Sequence, residues 1–366
     1  MGSLLLRRDL IRVPPIALPA AAFFLWTLLS AAFSDAPAAG LPQIKKFYVW
    51  LILIAVYSLV RRASQVKALL LTITAAASAS AAWSLVQFVI KYQRAATAGV
   101  PFYQSYEASR ITGFMSHWMT FGGHMLLAGL LVAAYLFLGR DRDRNRWVAA
   151  GVLLSLGLML GLTRSVWAGA AVGLVYLVWY WKRWALVALP VVAGVAVVAA
   201  PEPMATRLRT VWQPGKQDMA HHRDALRRTG WRMVQAHPVF GVGPEQVARH
   251  FLEYLPEDVP QPVPKHWWYD HLHNIYAHFA AERGIPALLA LLWMLGRALW
   301  DFHRGAAAMA GPWQWVLRGG AACIVGILVE GWGEVNLGDS EVLATLLSIL
   351  ACGYSILVEQ PILRED

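Results

Sequence analysis

The sequence predicts an all-α integral membrane protein with about ten transmembrane helices and one large extracytoplasmic loop containing amphipathic helices. Three observations predict it. Of the 366 residues, 58% are hydrophobic and 15% charged, whereas soluble domains carry about 45–50% apolar and about 25% charged residues. The apolar residues gather into ten runs, and the charges fall in short clusters between those runs. The net charge of +10 therefore forms no continuous stripe, which speaks against a nucleic-acid partner. Cys323 and Cys352 lie inside apolar runs and provide neither a disulfide framework nor a CxxC pair.

The runs lie at roughly 14–34, 47–60, 68–90, 118–138, 147–162, 165–181, 184–200, 285–300, 313–333 and 341–358. The first follows Arg7, Arg8 and Arg12, as a signal peptide would, but nine further runs make an uncleaved first span the better reading. The second has only fourteen residues between Lys46 and Arg61 and spans only if those cations snorkel; the alternative is a re-entrant helix. With the N-terminus in the cytoplasm every inner loop is basic: Arg61, Arg62 and Lys67; Arg140 to Arg146; Lys182 and Arg183; Arg297, Arg304 and Arg318; Arg364. The outer side then receives the acidic stretch Glu330–Glu341 and the long loop Pro201–Asp270, which balances nine basic against eight acidic residues. The chain divides accordingly into an N-terminal membrane region of seven spans (1–200), a periplasmic loop (201–272) and a C-terminal membrane region of three spans (273–366).

A loop of this length is rarely a bare connection. From about His221 to His237 it has helical periodicity, with Arg223, Arg227 and Trp231 on one face and Leu226, Met233 and Val234 on another, which predicts an amphipathic helix on the membrane surface. Eight of the eleven histidines fall between His221 and His278. The densest group is Asp270-His271-Leu272-His273-Asn274, with Glu282-Arg283-Gly284 beyond it. An imidazole with a pKa near 6.5 suits proton transfer there. Metal binding competes for these histidines, but no HExxH and no other ligand spacing is present. Asp141-Arg142-Asp143 has the form of a DxD motif but sits among arginines in a loop read as cytoplasmic. No metal or other cofactor is expected.

Arginines supply the anion-binding candidates. Arg164 stands in a tight outer turn, where a cation so close to hydrocarbon needs an anion. Arg227 and Arg228 on the loop helix carry guanidinium forks suited to phosphate oxygens. Gly241-Val242-Gly243-Pro244 reads as a turn into a helix start, where amides can face an anion or simply turn the chain.

Together these segments resemble the O-antigen ligase and polymerase family of bacterial envelope enzymes. The resemblance rests on the run Arg227–Pro244 with its His-Pro-Val-Phe-Gly-Val-Gly, on His273-Asn274 followed by Gly284-Ile285-Pro286, on Arg110-Ile111-Thr112-Gly113-Phe114 leading to His117, and on Leu162-Thr163-Arg164-Ser165. It implies a C-type, largely helical glycosyltransferase of the bacterial inner membrane. Such an enzyme takes a glycan from undecaprenyl diphosphate on the periplasmic side and passes it to lipid A–core or to a growing glycan. The resemblance assigns the essential base to His273 and the diphosphate-holding role to Arg164 and Arg227, with Arg228 beside them and Asn274, His271, Arg110, Gly241 and Gly243 in support. The chain departs from the family pattern in having Thr163 where a serine is usual and in lacking a proline-asparagine pair near Trp118. A membrane carrier or a non-catalytic assembly subunit would also fit a polytopic chain, but neither explains the loop's histidines and arginines. The charge alternation makes a direct prediction: a periplasm-active reporter fused after Glu257 should be active and one fused after Arg144 silent, and the opposite pattern inverts the topology.

Overall fold

The structure is a computed structural model and describes residues 11–139, 144–198, 205–207, 218–259, 261–263, 269–309 and 311–359. Among them the chain is helical without strands. The longer helices are α1 (Ala17–Ala32), α2 (Phe47–Leu59), α3 (Ala63–Thr97), α4 (Trp118–Leu138), α5 (Arg144–Leu160), α6 (Arg164–Lys182), α7 (Ala188–Val198), α8 (Asp218–Ala236), α9 (Ile275–Arg283), α10 (Ile285–Ala308), α11 (Gln314–Glu330) and α12 (Ser340–Glu359). Each of the ten apolar runs is thus helical over most of its length. Among the described residues five stretches are long and apolar enough to cross a membrane: Pro37–Leu59, Ala63–Thr97, Trp118–Leu138, Ile285–Ala308 and Ser340–Val358. The run expected to be the shortest span is among them, because helical structure begins upstream at Pro37 and passes through Lys45. Pro37 and Pro42 do not interrupt it, since each sits at a helix start where its missing N–H costs nothing. The Asp141-Arg142-Asp143 motif lies outside the described residues.

Two compact units share the chain discontinuously: Met1–Ser58 with Gly215–Trp300 and Gly331–Ala344, and Leu59–Pro214 with Asp301–Glu330 and Thr345–Asp366. The boundaries at 200 and 272 follow the order of elements along the chain; these units follow contacts.

In the second unit α4 packs on α5, α6 and α11, and α3 packs on α5. The closest approach is between α6 and α11. A Cβ on Gly169 would come within 2.5 Å of the Gly326 carbonyl, and one on Gly173 within 3.2 Å of the Ala322 carbonyl. Small residues four apart let the backbones meet, which in a membrane replaces the hydrophobic effect as the reason to associate. The α3 helix starts with a reciprocal cap between Arg62 and Gln65, and the chain turns at Gly99, where φ is 64°.

In the first unit the apolar face of α8 is buried in protein and does not lie on a membrane surface. Ala225, Leu226, Met233 and Val234 join Val242, Phe251, Leu255, Leu272, Ala280 and Ala281 in one core. The periodicity predicted the helix, and the tertiary partners determined what its face covers. Full burial of side chains like Leu226 and Met233 contributes about 1.5–3 kcal/mol each.

Gly169→Leu should force α6 and α11 apart at a cost of about 1–3 kcal/mol, read as a lower melting temperature of the detergent-solubilised protein. Gly129→Ala is the control, because a Cβ there meets nothing within 4 Å. Equal melting of the Gly169 variant and the wild type would rule out packing through this stripe.

Candidate functional site

The first unit holds most of the residues singled out from the sequence, arranged around the short helix α9. Asn274 is its N-cap: its side-chain oxygen accepts from the Ala277 amide at 2.9 Å, while its amide group donates to the Trp332 carbonyl at 3.2 Å. The Ile275 amide donates to the Gly331 carbonyl at 2.8 Å. These bonds lay residues 331–334 alongside the start of α9. His273, just before the cap, has φ of 48°, a left-handed conformation that costs a non-glycine residue about 1 kcal/mol or more and persists only where the surroundings impose it.

That conformation presents the imidazole to Glu334. The His273 Nδ1 is 3.2 Å from Glu334 Oε2, and the carboxylate is buried, with 1% of the residue exposed. Its other oxygen lies 3.6 Å from Nη2 of Arg223 on α8. The buried His222 ring stands nearly perpendicular to that of His273, with centroids 6.5 Å apart. A carboxylate has no hydrogen to give in its ionised form, so Nδ1 donates and Nε2 is left with its lone pair for an incoming proton. In the sequence Glu334 belongs to an acidic stretch and Arg223 to a helical face, and neither position marks a site. A contact across 61 residues leaves no periodic trace.

His271 is exposed and faces elsewhere, its ring 5.4 Å from that of His278. Burial pushes His278 well below the ordinary histidine pKa, so it is neutral. At the other end of α9, burial raises the Glu282 carboxyl and lowers the Arg283 guanidinium. Arg283 lies 3.4 Å from Glu282 Oε2, donates to Gln43 Oε1 at 3.1 Å, and stacks against Phe23 and Phe279.

The two arginines expected on α8 differ. Arg228 is held by Asp224 at 2.8 Å and by both oxygens of Asp258 at 2.8 Å, a pairing that raises the Arg228 pKa and lowers that of Asp258. The Arg227 side chain is 77% exposed and pairs with Asp224 at 2.7 Å. Its fork faces solvent.

Gly241 and Gly243 serve as an interlock. The amides of Val242 and Gly243 donate to the carbonyls of Ala281 and Glu282 at 2.8 and 2.9 Å, the Ile285 amide donates to the Pro238 carbonyl at 2.8 Å, and the Glu245 amide donates to Oε1 of Glu282 at 2.7 Å. These turn amides are thereby spent on α9. Gly241 and Gly284 have φ of 67° and 82°, and a Cβ on either would strike the facing backbone.

In the second unit Arg164 opens α6 after a turn in which Leu162 has φ of 51°. Arg110, buried, reaches the Leu162 carbonyl at 3.5 Å and lies 5.4 Å from the Trp118 ring. Arg207, which no sequence motif marks, donates to the same carbonyl at 3.2 Å and pairs with Glu107. Arg110 and Arg207 thus hold the turn from which Arg164 projects. Among the described residues no three His, Cys, Asp or Glu side chains are grouped as a metal site requires.

Gly284→Ala should destabilise the protein by about 1–3 kcal/mol, because alanine cannot adopt this backbone conformation without strain and its Cβ would fall 1.9 Å from the Val239 carbonyl oxygen. Gly296→Ala, where a Cβ meets nothing within 4 Å, should not lower the melting temperature. Identical melting of the two variants would remove the interlock.

No curated protein matches the chain. Residues 149–292 match a family model described as O-Antigen ligase, a stretch that contains Arg164, Arg227, Arg228, the glycine turn and His273-Asn274 and stops before Glu334. Over those residues the chain is similar to the O-antigen ligase family.

Proposed function

We propose that the protein is a metal-independent membrane glycosyltransferase that moves a glycan from undecaprenyl diphosphate to a sugar hydroxyl, on lipid A–core or on a growing glycan, at the periplasmic face of the inner membrane. The family domain supports the reaction class. The observation that carries the mechanism is the contact of His273 with the buried Glu334 at a strained backbone position.

In this reading the acceptor hydroxyl gives its proton to Nε2 of His273 as its oxygen bonds to the anomeric carbon of the donor. The bond from that carbon to the diphosphate oxygen breaks, and its electron pair leaves with the diphosphate. Glu334 fixes the ring through Nδ1 and offsets the positive charge that forms on it, as a carboxylate behind a catalytic histidine does elsewhere. Arg223 places its guanidinium 3.6 Å from the other oxygen of Glu334. The departing diphosphate needs fixed positive charge. Arg227, whose fork is exposed, is proposed for that role on the first unit, with Arg228 braced beside it by Asp258. Arg164 is proposed as a diphosphate ligand from its place in the family pattern, with Arg110 supporting its turn.

The test is transfer by purified protein with a lipid-linked donor. His273→Ala should lose about 10²–10⁴ in kcat, the usual worth of a positioned base, with donor binding and melting unchanged. Glu334→Gln should lose about 10–100-fold in kcat at constant KM, as outer-shell partners do, and His271→Ala should be mild. A dead His271 variant beside a working His273 variant would mean the wrong histidine has been chosen; if both work, proton transfer does not pass through this segment.

A further inference from the structure

The glycine stripe that joins α6 to α11 leads, toward the C-terminal end of α6, to a buried arginine, Arg318. Gly169 lies against Gly326 and Gly173 against Ala322. A turn further on, the hydroxyl of Tyr176 meets Nη1 of Arg318 at 3.1 Å. Arg318 is 3% exposed. Its other partners are Nδ1 of His303 at 3.4 Å and the face of the Tyr180 ring, 3.6 Å from the guanidinium carbon. Among the described residues no carboxylate lies within ion-pair distance of it, and its Nε has no hydrogen-bond partner. Removing a guanidinium from water without a counter-charge costs several kcal/mol.

The chemistry of the partners points outward. A guanidinium has five donors and no acceptor. Tyr176 must therefore accept from Arg318 with its oxygen, which leaves its own O–H to be donated elsewhere. His303 must accept at Nδ1, which places its proton on Nε2. Both side chains are only partly buried. The buried charge thus converts a tyrosine and a histidine into a rim of donors, the complement of an anion's oxygens. Around the same end of α6 stand an exposed Trp184 and Lys182, whose ammonium lies 5.0 Å from the Trp181 ring and 5.9 Å from that of Trp184. Tryptophans and lysines of this kind mark the level of lipid headgroups, and basic pockets between membrane helices hold anionic headgroups.

We propose that Arg318, Tyr176 and His303 form a binding site for the phosphate of an anionic phospholipid, separate from the transfer chemistry and independent of that reading. Arg318 supplies the charge, and Tyr176 and His303 supply the donors that contact the phosphate oxygens.

The test is native mass spectrometry of the full chain released from micelles doped with phosphatidylglycerol or phosphatidylcholine, with inorganic phosphate as competitor. The wild type should retain phosphatidylglycerol about tenfold over phosphatidylcholine, the scale of a hydrogen bond to a charged group. Arg318→Gln should abolish that preference. Tyr176→Phe and His303→Gln, which keep most of the packing, should each reduce it severalfold and decide the matter if Arg318→Gln does not fold. Equal retention of the two lipids by the wild type, or an undiminished preference in Tyr176→Phe and His303→Gln, overturns the proposal. Complete displacement by millimolar phosphate would assign the site to free phosphate and overturn its lipid identity.

Discussion

Two backbone hydrogen bonds, from Val242 and Gly243 to the carbonyls of Ala281 and Glu282, determine where α9 ends, and the proposed site depends on them. The helix has nine residues, too few to hold itself in place. It is therefore tied at both ends: the glycine turn grips the last turn, and Asn274 with Gly331 fastens the first. His273 lies outside the regular helix but adjacent to a fixed point. That explains how a histidine can be kept in a left-handed conformation, since the surroundings offset strain that a loop of its own would relax.

The same constraint explains two paired motifs of the sequence. His-Pro-Val-Phe-Gly-Val-Gly and His-Asn with its distant glycine stand some forty residues apart in sequence and are opposite sides of one joint. Gly241 and Gly284 are each required because facing backbone occupies the space of a Cβ, that of Glu282 and Arg283 at Gly241 and that of Val239 and Phe240 at Gly284. Sequence alone displays the two motifs without their contact, so the glycines are easily read as an anion cradle. In the structure the amides are turned to the protein, and the positive charge for any anion has to come from side chains.

Much of the fold was legible because helix periodicity and apolar runs are local properties. The ten runs became helices, and the loop helix fell where its repeat of Arg223, Arg227 and Trp231 placed it. What escaped were matters of partnership. The apolar face of α8 has the same pattern whether it meets lipid or Phe251 and Leu272. Glu334 lies in an acidic stretch that topology alone accounts for, and only the approach of residues 331–334 to α9 gives it a histidine. Arg207 likewise gains a role only where its guanidinium meets the Leu162 carbonyl. The division into units was also out of reach, because each gathers segments from three parts of the chain.

The arginines show how one side-chain type is sorted by its neighbours. Arg228 has two carboxylates and is occupied by them; Arg227 has one and remains open to solvent. Arg283 is buried beside Glu282, 3.4 Å from its carboxyl, and that pair braces α9. Arg223 spends its charge on the carboxylate that orients His273. Among the described residues, Arg318 alone of these five has a hydroxyl, an imidazole and an aromatic ring as partners in place of an acid. A guanidinium keeps its charge under every one of these conditions, so the surroundings cannot silence it by deprotonation. They must balance it with a carboxylate, leave it in water, or hold it for a ligand, and an arginine's function in this protein follows from which of the three its neighbours allow.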